Sequence, residues 1–337
     1  MKSILGLTAI SVMLAAPAMA QEYQPLEEDP ETLVFGIIST ESTQNLRRQW
    51  EPFLDDMEEQ LDMEVESFFA SDYAGIIEAM RFGQVHVAWY GNASAIEAVD
   101  RSNAEIFARQ VKEDGTEGYY SHILTHASND EWETLEDMFE LCGEGLDFGI
   151  GDPNSTSGFL VPTYYVFAQN EVSPEECFET VRNANHETNL MAVANEQVDF
   201  AANNSEQVAR SQANAPEAAE NVKVIWTSPL IPSDPITYRA DLSADLKNSI
   251  QAFFLSYGRL GPDAEEEREV LANMTDGLGP YRASTNAQLY PIRELDLYSQ
   301  ILKLENDERM DAAERQERVE ELEAELERIR ILASAGS

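Results

Sequence analysis

Basic residues are scarce in this chain. Lys and Arg number 22 against 63 Asp and Glu, giving a formal net charge of −41 over 337 residues. A surface of that sign repels phosphate backbones and anionic headgroups, which excludes nucleic acid and membrane surfaces as partners. The acids are spread along the chain rather than gathered in one tail. That pattern favours a protein exported into high salt over acidity selected to exclude acidic partners. Cysteine is rarer still, with only Cys142 and Cys177. Their spacing matches no metal site, and leaves open either one disulfide or two separately buried thiols.

Long apolar runs are missing too, with one exception. Ile4 to Ala16 follows Lys2 and precedes Ala18-Met19-Ala20. A charged start, an apolar stretch too short for a bilayer and an A-x-A site predict a secretory signal peptide over residues 1–20. No cysteine follows the cut, which excludes a lipid-anchored version. The expected mature product is periplasmic, with 21 basic residues and a net charge of −42. It is long enough for two ordinary domains. Residues 21–29, polar and acidic, predict a disordered leader.

Catalytic signatures are the last absence. Neither G-x-S-x-G nor H-E-x-x-H occurs. His122 and His126 stand four apart without a third ligand nearby, and read as strand packing. The sequence therefore assigns no catalytic residue, metal or cofactor, and the chain reads as a non-enzyme.

What is present is an alternation of strand and helix signals. Leu33 to Ile38 is a buried-strand run, and Asn45 to Leu61 places Trp50, Phe53, Leu54, Met57 and Leu61 at helical spacing. Val65–Phe69, Ala74–Phe82 and Val85–Tyr90 continue the pattern as strand, helix and strand. The alternation runs on to Ile225-Trp226 and predicts parallel α/β sheets. Polar loops follow the strands, at Ser39–Ser42, Ser71–Tyr73, Gly91-Asn92 and Asp152–Gly158, which is where open α/β sheets bind ligands.

The loop Asp152-Pro153-Asn154-Ser155-Thr156-Ser157-Gly158 lies between an expected strand (Leu146–Ile150) and an expected helix (Phe159–Ala168). Ser155, Thr156 and Ser157 offer hydroxyls and unpaired backbone N–H groups at a helix start, a site suited to an anion. Pro162 should kink that helix. No Lys or Arg lies in the loop, so neutral donors and the helix dipole are expected to hold the anion, with little dependence on salt. Near the C-terminus, Val319, Leu322, Leu326, Ile329 and Ala333 form a narrow apolar seam on a charged helix over 301–337. The seam fits packing on the chain's own body or a homodimer contact.

Six motifs occur in one order: Phe35–Ser42, Asp72–Ile77, Ala88–Asn92, Gly151–Pro162, Asn185–Asn189 and Ser228–Pro232. Together they resemble the phosphonate-binding proteins of bacterial phosphonate ABC transporters, in the periplasmic phosphate/phosphite/phosphonate-binding family. The resemblance spans residues from about 33 to about 300. Cys142, Cys177 and the spacing around Glu140–Gly145 depart from it.

The resemblance implies an α/β, two-lobed periplasmic binding protein fold (type II-like), closing on a ligand in the cleft. Expected lobes are 30–121 with 236–300, and 122–235, followed by the C-terminal helix. It also implies a permease and an ATPase as partners, and site residues. Tyr73, Tyr119 and His186 would join Ser155, Thr156 and Ser157 at the phosphonate head. Glu206 and Asp234 would meet the amine of an aminoalkylphosphonate such as 2-aminoethylphosphonate. Two buried acids are costly unless a cation offsets them, so the pair would disfavour phosphite or phosphate, the alternative ligands.

Overall fold

The computed structural model describes residues 26–305 and 310–336. The expected signal peptide lies outside the described residues. The strand signals become β1 (Thr32–Ile37), β2 (Glu64–Phe69), β3 (Val87–Trp89), β4 (Ala104–Lys112), β5 (Gly118–Tyr119), β6 (Ser121–His126) and β7 (Asp147–Ile150). They continue as β8 (Thr180–Asn183), β9 (Phe200–Asn204), β10 (Val222–Thr227), β11 (Ile231–Pro232), β12 (Pro235–Arg239) and β13 (Leu278–Ala283).

Two sheets organise them. One has the order β13-β4-β12-β3-β1-β2 and the other β10-β6-β9-β7-β8. Each supports one lobe of a two-lobed α/β fold. β1 runs parallel to β2 and β3, and β7 to β8 and β9. The sheets are nevertheless mixed, which corrects the expectation of parallel sheets. β12 lies antiparallel to β3 and β4, and β6 antiparallel to β9 and β10. The reason is topological. The chain leaves the first lobe after β4 and re-enters it on β12, so neighbouring outgoing and returning strands run in opposite directions. β5 and β11 pair with each other along these two crossings.

Each lobe has its own core. In the first, the helix Thr43–Leu61 buries Leu46, Trp50, Phe53, Leu54 and Met57. Trp50 packs on Phe35 and Trp89 of the sheet, and Phe53 packs edge-on to Phe254 and Tyr257 of the helix Ala244–Ser256 and its cap. In the second, Phe148, Phe167, Phe178 and Phe200 form a cluster that also holds Cys177. Cys142 and Cys177 are joined in a disulfide beside it, which resolves the two readings of the cysteines.

Three expectations change. The leader's described part is tethered: Leu26 N donates to Asp241 O at 2.9 Å, and Asp29 accepts from Ser243 N at 2.9 Å. The carboxylate of Asp29 thus joins the Ser243 cap of the helix Ala244–Ser256. The helix around Pro162 is not a kinked α-helix but two π-helical turns, Thr156–Leu160 and Thr163–Phe167, flanking the proline. Wider turns accommodate a residue with no N–H to give. The C-terminal segment is two helices, Tyr290–Glu305 and Ala312–Gly336, packed on each other. Leu326 and Ile329 are buried there, so this part of the apolar seam packs on the chain's own body. Tyr290–Glu305 also touches both lobes, through Arg293 to Asp100 and through Tyr298 to Tyr164.

Candidate ligand site in the cleft

The loop after β7 is built by short local bonds. Ser155 N donates to Asp152 O at 2.8 Å, Ser155 Oγ accepts from Gly158 N at 3.0 Å, and Gly151 N donates to Gly158 O at 2.7 Å. The last contact needs glycine, because a Cβ on Gly151 would sit 2.6 Å from the Gly158 backbone. The loop is thereby folded back on itself, with Ser155, Thr156 and Ser157 on the wall of an interlobe cavity.

The expected site residues converge there. Tyr73, Tyr119, His186, Glu206 and Asp234 line the same cavity as the three hydroxyls, all between 2% and 8% exposed. At one end, His186 opens the helix His186–Ala194, with its Nε2 lying 3.4 Å from Ser155 Oγ and 3.5 Å from Ser157 Oγ. Burial, with help from the charge of Arg210, lowers its pKa to about 3, so the ring is neutral at ordinary pH. Its Nδ1 is buried without a partner. Tyr73 starts the helix Tyr73–Arg81 and lines the cavity together with Ser155. Burial and the nearby Asp152 carboxylate raise its pKa well above the usual range, which keeps it a neutral donor.

The other end is acidic. Asp234 accepts from Tyr119 Oη at 3.0 Å and from Trp89 Nε1 at 3.2 Å. Tyr119 therefore stands with the acids in this structure, its hydroxyl committed to Asp234. Burial first, and then the Glu206 charge, raises the pKa of Asp234. Glu206 is pushed up to about 7 by burial and by Asp276. Two buried carboxyls that repel each other hold protons at pH values where surface acids do not.

A family profile described as "ABC transporter, phosphonate, periplasmic substrate-binding protein" matches residues 35–289. The chain belongs to this family. It is 47% identical over 313 residues to the phosphonates-binding periplasmic protein of Escherichia coli K12, covering 92% of this chain and 89% of that one. The solved structure of a binding protein component of an ABC phosphonate transporter from Pseudomonas aeruginosa matches with a TM-score of 0.86. That match has 45% identity, over 92% of this chain and 100% of that chain. A more distant relative is the phosphate-import protein PhnD of Mycolicibacterium smegmatis, 26% identical over 73% of this chain and 79% of that protein. As a phosphonate-family substrate-binding protein, the chain is a periplasmic binder and not an enzyme.

The phosphonate-family cleft is closed in this structure. Ala93 N, on the helix Asn92–Arg101 of the first lobe, donates to Thr156 Oγ1 at 2.8 Å. Tyr73 N donates to Asp152 Oδ2 at 3.2 Å, and Glu187 accepts from Ser42 N at 2.7 Å and Asn45 Nδ2 at 2.6 Å. Sequence reasoning missed two cations, Arg210 on the cavity wall and Lys112 near Glu206. Arg210 lies 2.8 Å from Glu41 across the cleft, while Lys112, bound to Asp276, lies 3.9 Å from Glu206. The sequence expectation, recognition mainly by neutral donors and the helix dipole, did not include Arg210 on the cavity wall. The loop itself has no cation, but a neighbouring helix of the same lobe, Ser205–Asn214, brings one to the cavity. A signal for Arg210 existed, since it follows Glu206 by four residues on one helix and so shares its face.

Proposed function

We propose that this protein captures an aminoalkylphosphonate of the 2-aminoethylphosphonate type and delivers it to the permease and ATPase of an ABC importer. The observation that carries the reading is the polarity of the cavity. Hydroxyls and a neutral imidazole stand at one end, and Glu206 and Asp234 are buried together at the other. Ser155, Thr156, Ser157, Tyr73 and His186 would receive the tetrahedral head by hydrogen bonds, with helix N-terminal amides adding partial positive charge. Glu206 and Asp234, the latter oriented by Tyr119 and Trp89, would receive the ammonium. Lys112 offsets part of the acidic charge but is shared with Asp276, so the pair remains under-compensated. An anion entering this cavity is favoured if it brings its own cation.

The lobes in this proposal are residues 30–121 with 236–300, and 122–235, moving about the two crossings. Closure around the ligand follows because donors from both lobes converge only when they meet. Titration calorimetry with 2-aminoethylphosphonate, methylphosphonate, phosphite and phosphate tests the reading. The amine-bearing ligand should bind at least about 100-fold tighter, the order expected for losing one buried charge pair. Glu206→Gln should erase most of that preference. Equal affinity for all four ligands would sink the assignment of the acids.

One observation favours a second reading, an amine-free oxyanion such as phosphate or phosphite. With both acids protonated, as their raised pKa values allow, the acidic end is uncharged and needs no cation. On that reading, phosphate affinity should rise as pH falls from 8 to 6 and match that of the aminoalkyl ligand.

A further inference from the structure

The helix Ser205–Asn214 of the second lobe carries Glu206 and Arg210 one turn apart. Each meets an opposite charge from the first lobe. Arg210 Nε lies 2.8 Å from Glu41 Oε1, and Glu206 Oε1 lies 3.9 Å from Lys112 Nζ. The two pairs have opposite polarity, so a one-turn slip of this helix along the first lobe would bring like charges together. The Arg210–Glu41 pair is the more deeply buried, with side chains 7% and 4% exposed. Each partner is braced from within its own lobe. Gln49 Nε2 donates to Glu41 Oε1 at 3.1 Å, and Arg210 Nη2 donates to Gln207 Oε1 at 2.8 Å. The contact to Glu41 is one of charge rather than a directed hydrogen bond, for Arg210 Nε finds no acceptor in line with its N–H.

We propose that Glu41 and Arg210 form a latch: a positioning pair that sets how firmly the lobes close on any ligand, while Glu206 and Asp234 choose among ligands. The proposal rests on the cleft being the ligand site, but not on which ligand enters it. Parting the lobes separates the two charges and lets water reach both. Removing the charge of Glu41 leaves Arg210 buried and unpaired in the closed form only, because in the open form water solvates it. The penalty falls on closure, and a smaller closed population weakens every ligand by the same factor.

The test is Glu41→Gln, with Glu41→Asp as the conservative variant, titrated with 2-aminoethylphosphonate and with methylphosphonate. Circular dichroism identical to wild type checks that the variants fold. Both affinities should fall by the same factor, at least tenfold, with their ratio kept, and Glu41→Asp should lie between Glu41→Gln and wild type. Unchanged or tighter binding in Glu41→Gln, or a loss confined to one ligand, overturns the latch. A Glu206→Gln variant that leaves the ratio of the two affinities unaltered counts instead against the amine reading, and leaves the latch standing.

Discussion

Burial gives Glu206 and His186 opposite responses to pH. The pKa of Glu206 rises from 4.5 to about 7, so the folded protein holds its proton more tightly than the unfolded chain. Its contribution to stability is complete below about pH 4.5 and lost as pH climbs through 7. For His186 the pKa falls from 6.5 to about 3, so its contribution is complete above about pH 6.5 and lost as pH drops toward 3. Thermal melts of the ligand-free protein from pH 4.5 to 8 should therefore decline more steeply in the wild type than in Glu206→Gln. A bound ammonium favours the charged acids, so 2-aminoethylphosphonate should release a proton near pH 7 that methylphosphonate does not. Calorimetry in two buffers of different ionisation enthalpy reads the difference between the ligands. Identical proton counts would place the ammonium away from Glu206 and Asp234. Little of this could be read from single residues, because Glu206 is one acid among 63 until burial sets it apart.

Elements show where sequence reading succeeds. The loop Asp152–Gly158 was legible because its chemistry is local: a strand end, three hydroxyl residues and a helix start. Its exact shape was not, since the π turns around Pro162 depend on how the segment meets β9 and the helix Asn92–Arg101. Gly151→Ala tests the loop. The added Cβ meets backbone rather than a movable side chain, so we expect a loss of about 1–3 kcal/mol in urea unfolding together with weaker ligand binding. The disulfide should behave differently. It closes a 35-residue stretch beside the second core, and loop entropy values that closure at about 3–4 kcal/mol. Paired Cys142→Ser and Cys177→Ser changes should remove roughly that much stability while leaving affinity within about twofold, because neither cysteine lines the cavity.

At the scale of the whole molecule, the two-lobed plan was available through the ordered motifs, whereas the contacts between lobes were not. Arg210 with Glu41, and Lys112 with Glu206, join residues 169 and 94 positions apart in sequence, and nothing local to either partner announces the other. Tyr119 is similar: only the return of the chain on β12 brings Asp234 to its hydroxyl. If the lobes part without ligand, small-angle scattering should show a smaller radius of gyration once 2-aminoethylphosphonate saturates the protein. A curve that does not change on saturation would count against closure as the response to ligand.

The closed walls around the cavity also govern exchange in time. With every expected contact residue at most 8% exposed, the closed lobes cover the walls that would hold a bound molecule. Departure then waits on the lobes, so no ligand can escape faster than the cleft opens, however weakly it is held. A chase experiment should reveal this as a ceiling on dissociation rate that poor ligands share. Hand-over to a permease would gain its speed from whatever pries the lobes apart.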